Sequence, residues 1–131
     1  MTENPPPQYY APAPMLESEA RTMSMLAHLL VLVGGFIPPL VIWLIYKDRS
    51  ALVDAHGKEQ LNFQISLIIY TVALYIVSTV AALVTFGIGF ILLFPLFLGV
   101  GIYALVIVIL AAMAANRGQY YRIPLSIRFI S

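Results

Sequence analysis

The side chains of this sequence that could do chemistry form one dense polar cluster. It reads Asp-Ala-His-Gly-Lys-Glu-Gln-Leu-Asn-Phe-Gln over residues 54–64, and its last members enter a long apolar run. Gln60 and Gln64 are four residues apart and therefore share a helical face. Asn62 and Gln64 are costly if they face lipid, so we expect them to face a neighbouring helix or water. Together with one distant histidine, the cluster gives these candidate polar or packing residues: His28, His56, Glu59, Gln60, Asn62 and Gln64.

Two interpretations of the cluster are open. In the first, it is a polar site at the cytoplasmic mouth of a helix bundle, where it recognises a substrate or a lipid headgroup. In the second, which the sequence favours, its side chains form interhelical hydrogen bonds that fix how the helices pack. His56 and Glu59 are three residues apart, a spacing that can hold a metal, but no third ligand is nearby. His28 could be a second ligand or a proton relay; donation to a carbonyl, or to an Asn or Gln on a neighbouring helix, is the simpler role.

The sequence lacks the motifs of the common catalytic classes. It has no cysteine, which excludes thiol catalysis and thiolate metal sites. It has no Walker-type phosphate loop, no zinc-protease helix motif, and no acidic pair within an apolar run. Its net charge of +1 leaves no basic stripe for nucleic acid. We therefore predict a protein that is not an enzyme, with no catalytic residue, no cofactor, no metal and no nucleic-acid partner.

Three long apolar runs indicate that the chain is embedded in a lipid bilayer. They cover residues 23–46, 61–84 and 90–115, and none contains a side chain with a formal charge at neutral pH. About 20 apolar residues cross a hydrocarbon core roughly 30 Å thick. Only 10% of the residues are charged and 61% are hydrophobic. The sequence therefore predicts an all-α integral membrane protein: a bundle of three transmembrane helices and a short interfacial helix.

The first run is interrupted by Gly-Gly-Phe-Ile-Pro-Pro at residues 34–39. Proline removes a backbone donor and clashes with the preceding turn, so a break is expected there, between Gly34 and Pro39. A broken helix over 23–46 would be about 36 Å long, enough to span. Alternatively, two short half-helices form a re-entrant hairpin, because neither half spans alone. We favour the span, with Ser18 as the N-cap of a helix that starts near Glu19.

The remaining elements follow from local signals. Residues 47–60 predict a short interfacial helix, capped by Ser50, after which Gly57 turns the chain into the second span. Residues 85–89 join the second and third spans and force an antiparallel helical hairpin. Pro95 predicts a kink in the third span. Two small-xxx-small pairs indicate close packing within the bundle or a homo-oligomer face: Ser78 with Ala82, and Ala111 with Ala115.

The two ends of the chain differ from the apolar runs. Residues 1–17 form a Pro- and Tyr-rich tail that is predicted to be disordered, and residues 18–131 form one helical membrane domain. Asn116 and Gly118 suit a helix C-terminus. Three arginines then alternate with aromatic and aliphatic residues, which is typical of a tail on the headgroup layer; they are Arg117, Arg122 and Arg128.

The basic residues predict the orientation. With three spans, the 47–60 loop and the C-terminal tail share one side and carry all of the seven Lys and Arg residues except Arg21. The positive-inside rule then places the loop and the C-terminus in the cytoplasm. The predicted location is the inner or plasma membrane, as a multi-pass protein. A re-entrant first run places every basic residue inside, and the N-terminal tail with them.

An ordered set of short motifs, from His28-Leu29 to Arg128-Phe129, resembles a bacterial family of small membrane proteins of unknown function. That family is distantly similar to the Tic-twenty-like proteins of the chloroplast inner-envelope import machinery. The resemblance covers roughly residues 21–129 and is most specific in the stretches His-Gly-Lys-Glu-Gln-Leu-Asn-Phe-Gln (56–64) and Ala-Asn-Arg-Gly-Gln-Tyr-Tyr-Arg-Ile-Pro-Leu (115–125). It implies an all-helical bundle and a relation to protein translocation. Tic-twenty-like proteins have four spans, a number reached here only if the first run supplies two short helices.

These observations favour a non-enzymatic membrane protein that works by assembling with itself or with other membrane proteins. The alternative is a subunit of an oligomeric channel or transporter for ions or small molecules. The direction in which Asn62 and Gln64 point separates the two functions, because a pore needs them to face water, whereas packing needs them to face protein.

Overall fold

The computed structural model describes residues 4, 6 and 11–131. Within them the chain is all-helical, with no strand, and forms these helical segments: α1 (Glu17–Leu29), α2 (Val31–Gly34), α3 (Ile37–Tyr46), α4 (Ala51–Val84) and α5 (Ile88–Asn116). The all-α prediction is confirmed. Of the tail predicted to be disordered, residues 1–3, 5 and 7–10 lie outside the described residues.

The first apolar run folds back on itself. The backbone N–H of Met15, just before α1, donates to the carbonyl of Arg49, just after α3, over 3.1 Å. The side chain of Arg49 also donates to the carbonyl of Ala13. Both ends of the run therefore lie at the same end of the molecule, which is the geometry of the re-entrant alternative.

The turn of this hairpin has a local cause. Gly35 has φ = +64°, a left-handed conformation that glycine adopts without a steric cost, and it ends the short helix α2. Pro38 and Pro39 sit in the first turn of α3, where their missing N–H groups need no partner. The break between Gly34 and Pro39 is thus where the sequence predicts it. The predicted three transmembrane helices are not confirmed, since within residues 11–131 only α4 and α5 are long and apolar enough to cross a membrane.

The N-terminal cap is also corrected. Helix α1 begins at Glu17, so Ser18 lies inside the helix and its carbonyl accepts from the Thr22 hydroxyl. The carboxylate of Glu19 reaches back to the N–H of Leu16, the residue at the N-cap position.

The short interfacial helix is wrong as a separate element. Ser50 caps the helix as predicted, accepting from the N–H of Val53, but α4 then continues for 34 residues without a break. Gly57 does not turn the chain. It lies where a Cβ atom would come within 2.7 Å of the Trp43 ring, so its small size admits α3 against α4.

Helices α4 and α5 form the predicted antiparallel hairpin. Residues 85–87 connect them, with Phe86 and Gly87 both at positive φ. Gly89 allows the closest approach, since a Cβ there would lie 2.8 Å from the backbone of Ala81. Pro95 lies inside α5, which continues to Asn116.

The small residues near the end of α5 are covered within the chain. Ala111 and Ala115 are fully buried, and α1 packs on α5. Ser78 on α4 is also fully buried. These contacts agree with packing within the bundle, the first of the two roles predicted for the small-xxx-small pairs.

The chain after α5 is irregular, and we call residues 117–131 the C-terminal segment. Helix α5 ends at Asn116, and Gly118 follows at φ = +72°, as the sequence predicts. The segment turns at Pro124-Leu125, where Leu125 has φ = +62°, and then runs back. It lies along α4, which brings it to the polar cluster.

Candidate functional site

The polar cluster meets the C-terminal segment along one face of α4. Asn62 has no exposed surface. Its side-chain oxygen accepts from the backbone N–H groups of Phe129 and Ile130, at 3.0 and 2.7 Å. Its side-chain nitrogen donates to the carbonyl of Ile130 over 2.8 Å. One asparagine thus provides the pairing that a neighbouring strand would give to an extended backbone.

Glu59, one turn before Asn62 on α4, binds the same segment at two further residues. Its carboxylate accepts from the backbone N–H of Ile123 over 3.0 Å and forms an ion pair with Arg128. Glu59 is only 8% exposed, so the ion pair also compensates a buried charge. The segment is therefore attached by a charged contact on its outward limb and on its returning limb.

The sequence did not single out the residues that bind the tip of the segment. The hydroxyl of Ser66 accepts from the N–H of Ile127 over 2.7 Å. The hydroxyl of Tyr70 donates to the carbonyl of Leu125, and that of Tyr103 to the carbonyl of Pro124. All three belong to apolar runs, where a single hydroxyl is a weak signal. Their contacts satisfy backbone groups that would otherwise lack partners in an apolar environment.

The two histidines lie together in the interior. The Nδ1 atom of His28 lies 2.6 Å from the side-chain oxygen of Gln60, and its Nε2 atom lies 2.9 Å from Nδ1 of His56. Nε2 of His56 lies 2.7 Å from the carbonyl oxygen of Gln119. This chain of contacts joins α1, α4 and the C-terminal segment. Burial lowers the pKa of His28 to about 4, because the charged ring would lose its hydration.

Gln64 stands apart from these contacts. Its side-chain nitrogen donates to the carbonyl of Gly35 over 3.3 Å, at the turn of the α1–α3 hairpin. The structure thus brings together His28, His56, Glu59, Gln60 and Asn62, and places Gln64 at a different contact.

The predicted surface arginines divide into two kinds. Arg128 forms an ion pair with Glu59 on α4. Arg117 and Arg122 are exposed. Residues of α4 and of the C-terminal segment line a cleft of 530 Å³ at this end of the molecule. Among them are Asp54, Lys58, Glu59, Arg122 and Arg128. No group of three or more metal-ligating side chains comes together in the part of the chain that the structure describes.

The fold and the composition define a helical integral membrane protein, with two apolar helices of spanning length and a polar end. The sequence model of the magnetosome magnetite crystal formation protein family (MamF/MmsF) matches residues 19–130, and the chain belongs to this family. The match confirms the resemblance to a bacterial family of small membrane proteins. It does not show a link to the Tic-twenty-like proteins. No curated protein and no solved structure matches the chain.

Proposed function

We propose that the protein is a non-enzymatic structural protein of a bacterial membrane, and that it takes part in forming or maintaining a membrane compartment by assembling with itself or with partner proteins. The family is named for magnetite crystal formation in magnetosomes, and this supports a role at such a membrane. A relation to protein translocation rests on the Tic-twenty resemblance alone.

One observation carries the non-catalytic part of the proposal. Asn62 and Glu59, two buried acceptors at the centre of the cluster, are occupied by the backbone and the arginine of the C-terminal segment. Side chains that are already bonded within the chain are not free to act on a substrate. The same contacts argue against the channel alternative, because a pore lining requires polar groups that face water.

Assembly is tested by native mass spectrometry of the full chain released from mild detergent. We expect a defined oligomer or a stoichiometric complex with co-purified membrane proteins. A monomer without partners, at concentrations where the protein is folded, contradicts the proposal. Ion flux through liposomes that contain the purified protein would instead support the channel.

We further propose a topology with two spans and one re-entrant hairpin. All seven basic residues then lie at one end of the molecule, because the hydrogen bond from Met15 to Arg49 holds both ends of the hairpin there. By the positive-inside rule this end is cytoplasmic. The connection at Gly87 lies at the opposite end.

The topology is tested with a reporter that is active only in the cytoplasm. Fusions before Met1 and after Ser131 should both be active, whereas an insertion at Gly87 should be inactive. The fusion before Met1 is decisive, because three spans place that end outside. An inactive reporter there would restore the three-span prediction.

A further inference from the structure

The histidine pair is buried at the seam between three elements and has no role in the proposed assembly. His28 and Gln60 have no exposed surface, and His56 is 1% exposed. The two rings are nearly perpendicular, with centroids 5.1 Å apart. A histidine pair at such a seam changes its charge when it binds or releases a cation.

With the side-chain amide of Gln60 oriented as in the structure, the donors and acceptors around the pair do not balance while both rings are neutral. The carbonyl of Gln119 only accepts, so Nε2 of His56 must carry a hydrogen. The side-chain oxygen of Gln60 only accepts, so Nδ1 of His28 must carry one as well. If both rings are neutral, the two nitrogens that face each other at 2.9 Å both present lone pairs. Two lone pairs at that distance repel unless a cation lies between them.

The distance decides which cation fits. Two nitrogens that bind one tetrahedral metal at about 2.0–2.1 Å lie roughly 3.3 Å apart. The observed separation of 2.9 Å is instead that of an ordinary N–H···N hydrogen bond. The separation therefore matches one hydrogen held between the two rings, and not a metal ion.

The side-chain amide of Gln60 also allows a complete set of hydrogen bonds when both rings are neutral. In the structure its side-chain nitrogen is buried without a partner. A half-turn of the amide would let this nitrogen donate to Nδ1 of His28. His28 could then donate from Nε2 to His56, and His56 to Gln119, with both rings neutral. After this half-turn, the side-chain oxygen of Gln60 takes the position without a partner that its nitrogen has in the structure.

We propose that His28 and His56 form a buried site for a single proton, and that filling it turns the side-chain amide of Gln60. In the neutral state the amide donates to His28, and in the loaded state it accepts. A second proton would make both facing nitrogens donors and would break the contact between α1 and α4. The pair is thus a two-state element that links the hairpin, α4 and the C-terminal segment.

The charged groups around the pair set the pH at which it loads. Burial opposes a charge on either ring, whereas the oxygens of Gln60 and Gln119 favour it. Glu59, one turn along α4 from His56, also favours it but is itself bound to Arg128. The ionisable groups on the elements packed around the pair are as follows: Glu17, Glu19 and Arg21 on α1; Tyr46 on α3, with Lys47, Asp48 and Arg49 after it; Asp54, Lys58, Glu59, Tyr70 and Tyr75 on α4; Tyr103 on α5; and Arg117, Tyr120, Tyr121, Arg122 and Arg128 in the C-terminal segment.

The test is a pH titration of the full-length protein in lipid nanodiscs, followed by NMR of ¹⁵N-labelled histidine rings and glutamine side chains. Between pH 7.5 and 3, both rings should change together and take up one proton between them. The side-chain amide signals of Gln60 should move with the same midpoint. Separate midpoints for the two rings, or a Gln60 amide that does not respond, would overturn the proposal.

The variant Gln60→Glu sharpens the test. A carboxylate can only accept from His28, so the neutral arrangement is lost and the midpoint should rise by about one pH unit or more, a tenfold gain in proton affinity. Gln64→Glu is the matched control, because it adds the same charge one turn further along α4, where the side chain binds Gly35. An equal rise in both variants would mean that charge alone acts, and would refute the coupling to Gln60. If Gln60→Glu does not fold, the wild-type titration decides alone.

Discussion

Replacing Asn62 with leucine is expected to release the C-terminal segment from α4. The substitution keeps the number and branching of the side-chain heavy atoms but removes the partners of two N–H groups and one carbonyl, at Phe129 and Ile130. An unpaired buried backbone group costs about 1–3 kcal/mol. The segment can avoid part of that cost by moving into water, so we expect a net loss of about 2 kcal/mol, which corresponds to a roughly 30-fold larger detached population.

Limited trypsin digestion in nanodiscs measures the detached population. Cleavage after Arg122 and Arg128 should be roughly 30-fold faster in Asn62→Leu than in the wild type, provided that the segment opens and closes faster than it is cut. Gln64→Leu is the matched control, because it removes one long hydrogen bond to Gly35 and none to the segment. Equal cleavage rates in the wild type and Asn62→Leu would show that Asn62 does not hold the segment.

Local signals in the sequence predicted the parts of the fold that depend on local chemistry. Ser50 caps α4 because its hydroxyl reaches the N–H of Val53, a contact within one turn of helix. The connection between α4 and α5 is too short for any other arrangement than an antiparallel pair. The end of α5 follows from Gly118, whose left-handed conformation is rarely adopted by other residues.

The partners of the polar cluster could not be predicted from the sequence. The cluster was expected to hydrogen-bond other helices or water, yet Asn62 and Glu59 bind the irregular C-terminal segment, more than 60 residues away. Nothing in the local pattern of residues 117–131 shows that their backbone lies against a helix. That arrangement exists because the backbone needs partners, and side chains on α4 supply them.

Gly57 and the first apolar run show the same limit. Glycine between polar residues is typical of a turn, but here the approach of Trp43 requires a residue without a side chain inside a continuous helix. For the first run, length allowed both a span and a hairpin. The contacts of Met15 and Ala13 with Arg49 select the hairpin, and these are contacts between residues more than 30 positions apart.

Lowering the pH from 6.5 to 4 is expected to destabilise the protein through His28. The pKa of His28 falls from 6.5 to about 4 on folding, mainly because the ring is buried. Between these values the unfolded chain binds the proton and the folded chain does not, so stability rises with pH across this window and is lost as the pH falls. A change of 2.5 in pKa corresponds to about 3 kcal/mol of unfolding free energy. The protein keeps this stability above pH 6.5 and loses it as the pH falls to about 4.

The thermal unfolding midpoint of the protein in nanodiscs, measured from pH 7.5 to 4, tests this expectation. Other groups also titrate in this range, so the informative quantity is the difference between the wild type and His28→Gln. The variant should be less stable at pH 7.5, because it disturbs the contacts to Gln60 and His56, but should lose less stability on acidification, so that the two curves converge toward pH 4. Thr22→Ala, on the exposed face of α1, should keep the full pH dependence of the wild type. Parallel curves for the wild type and His28→Gln would mean that the proton on His28 is not coupled to folding, and that the buried pair is not the acid-sensitive part of the molecule.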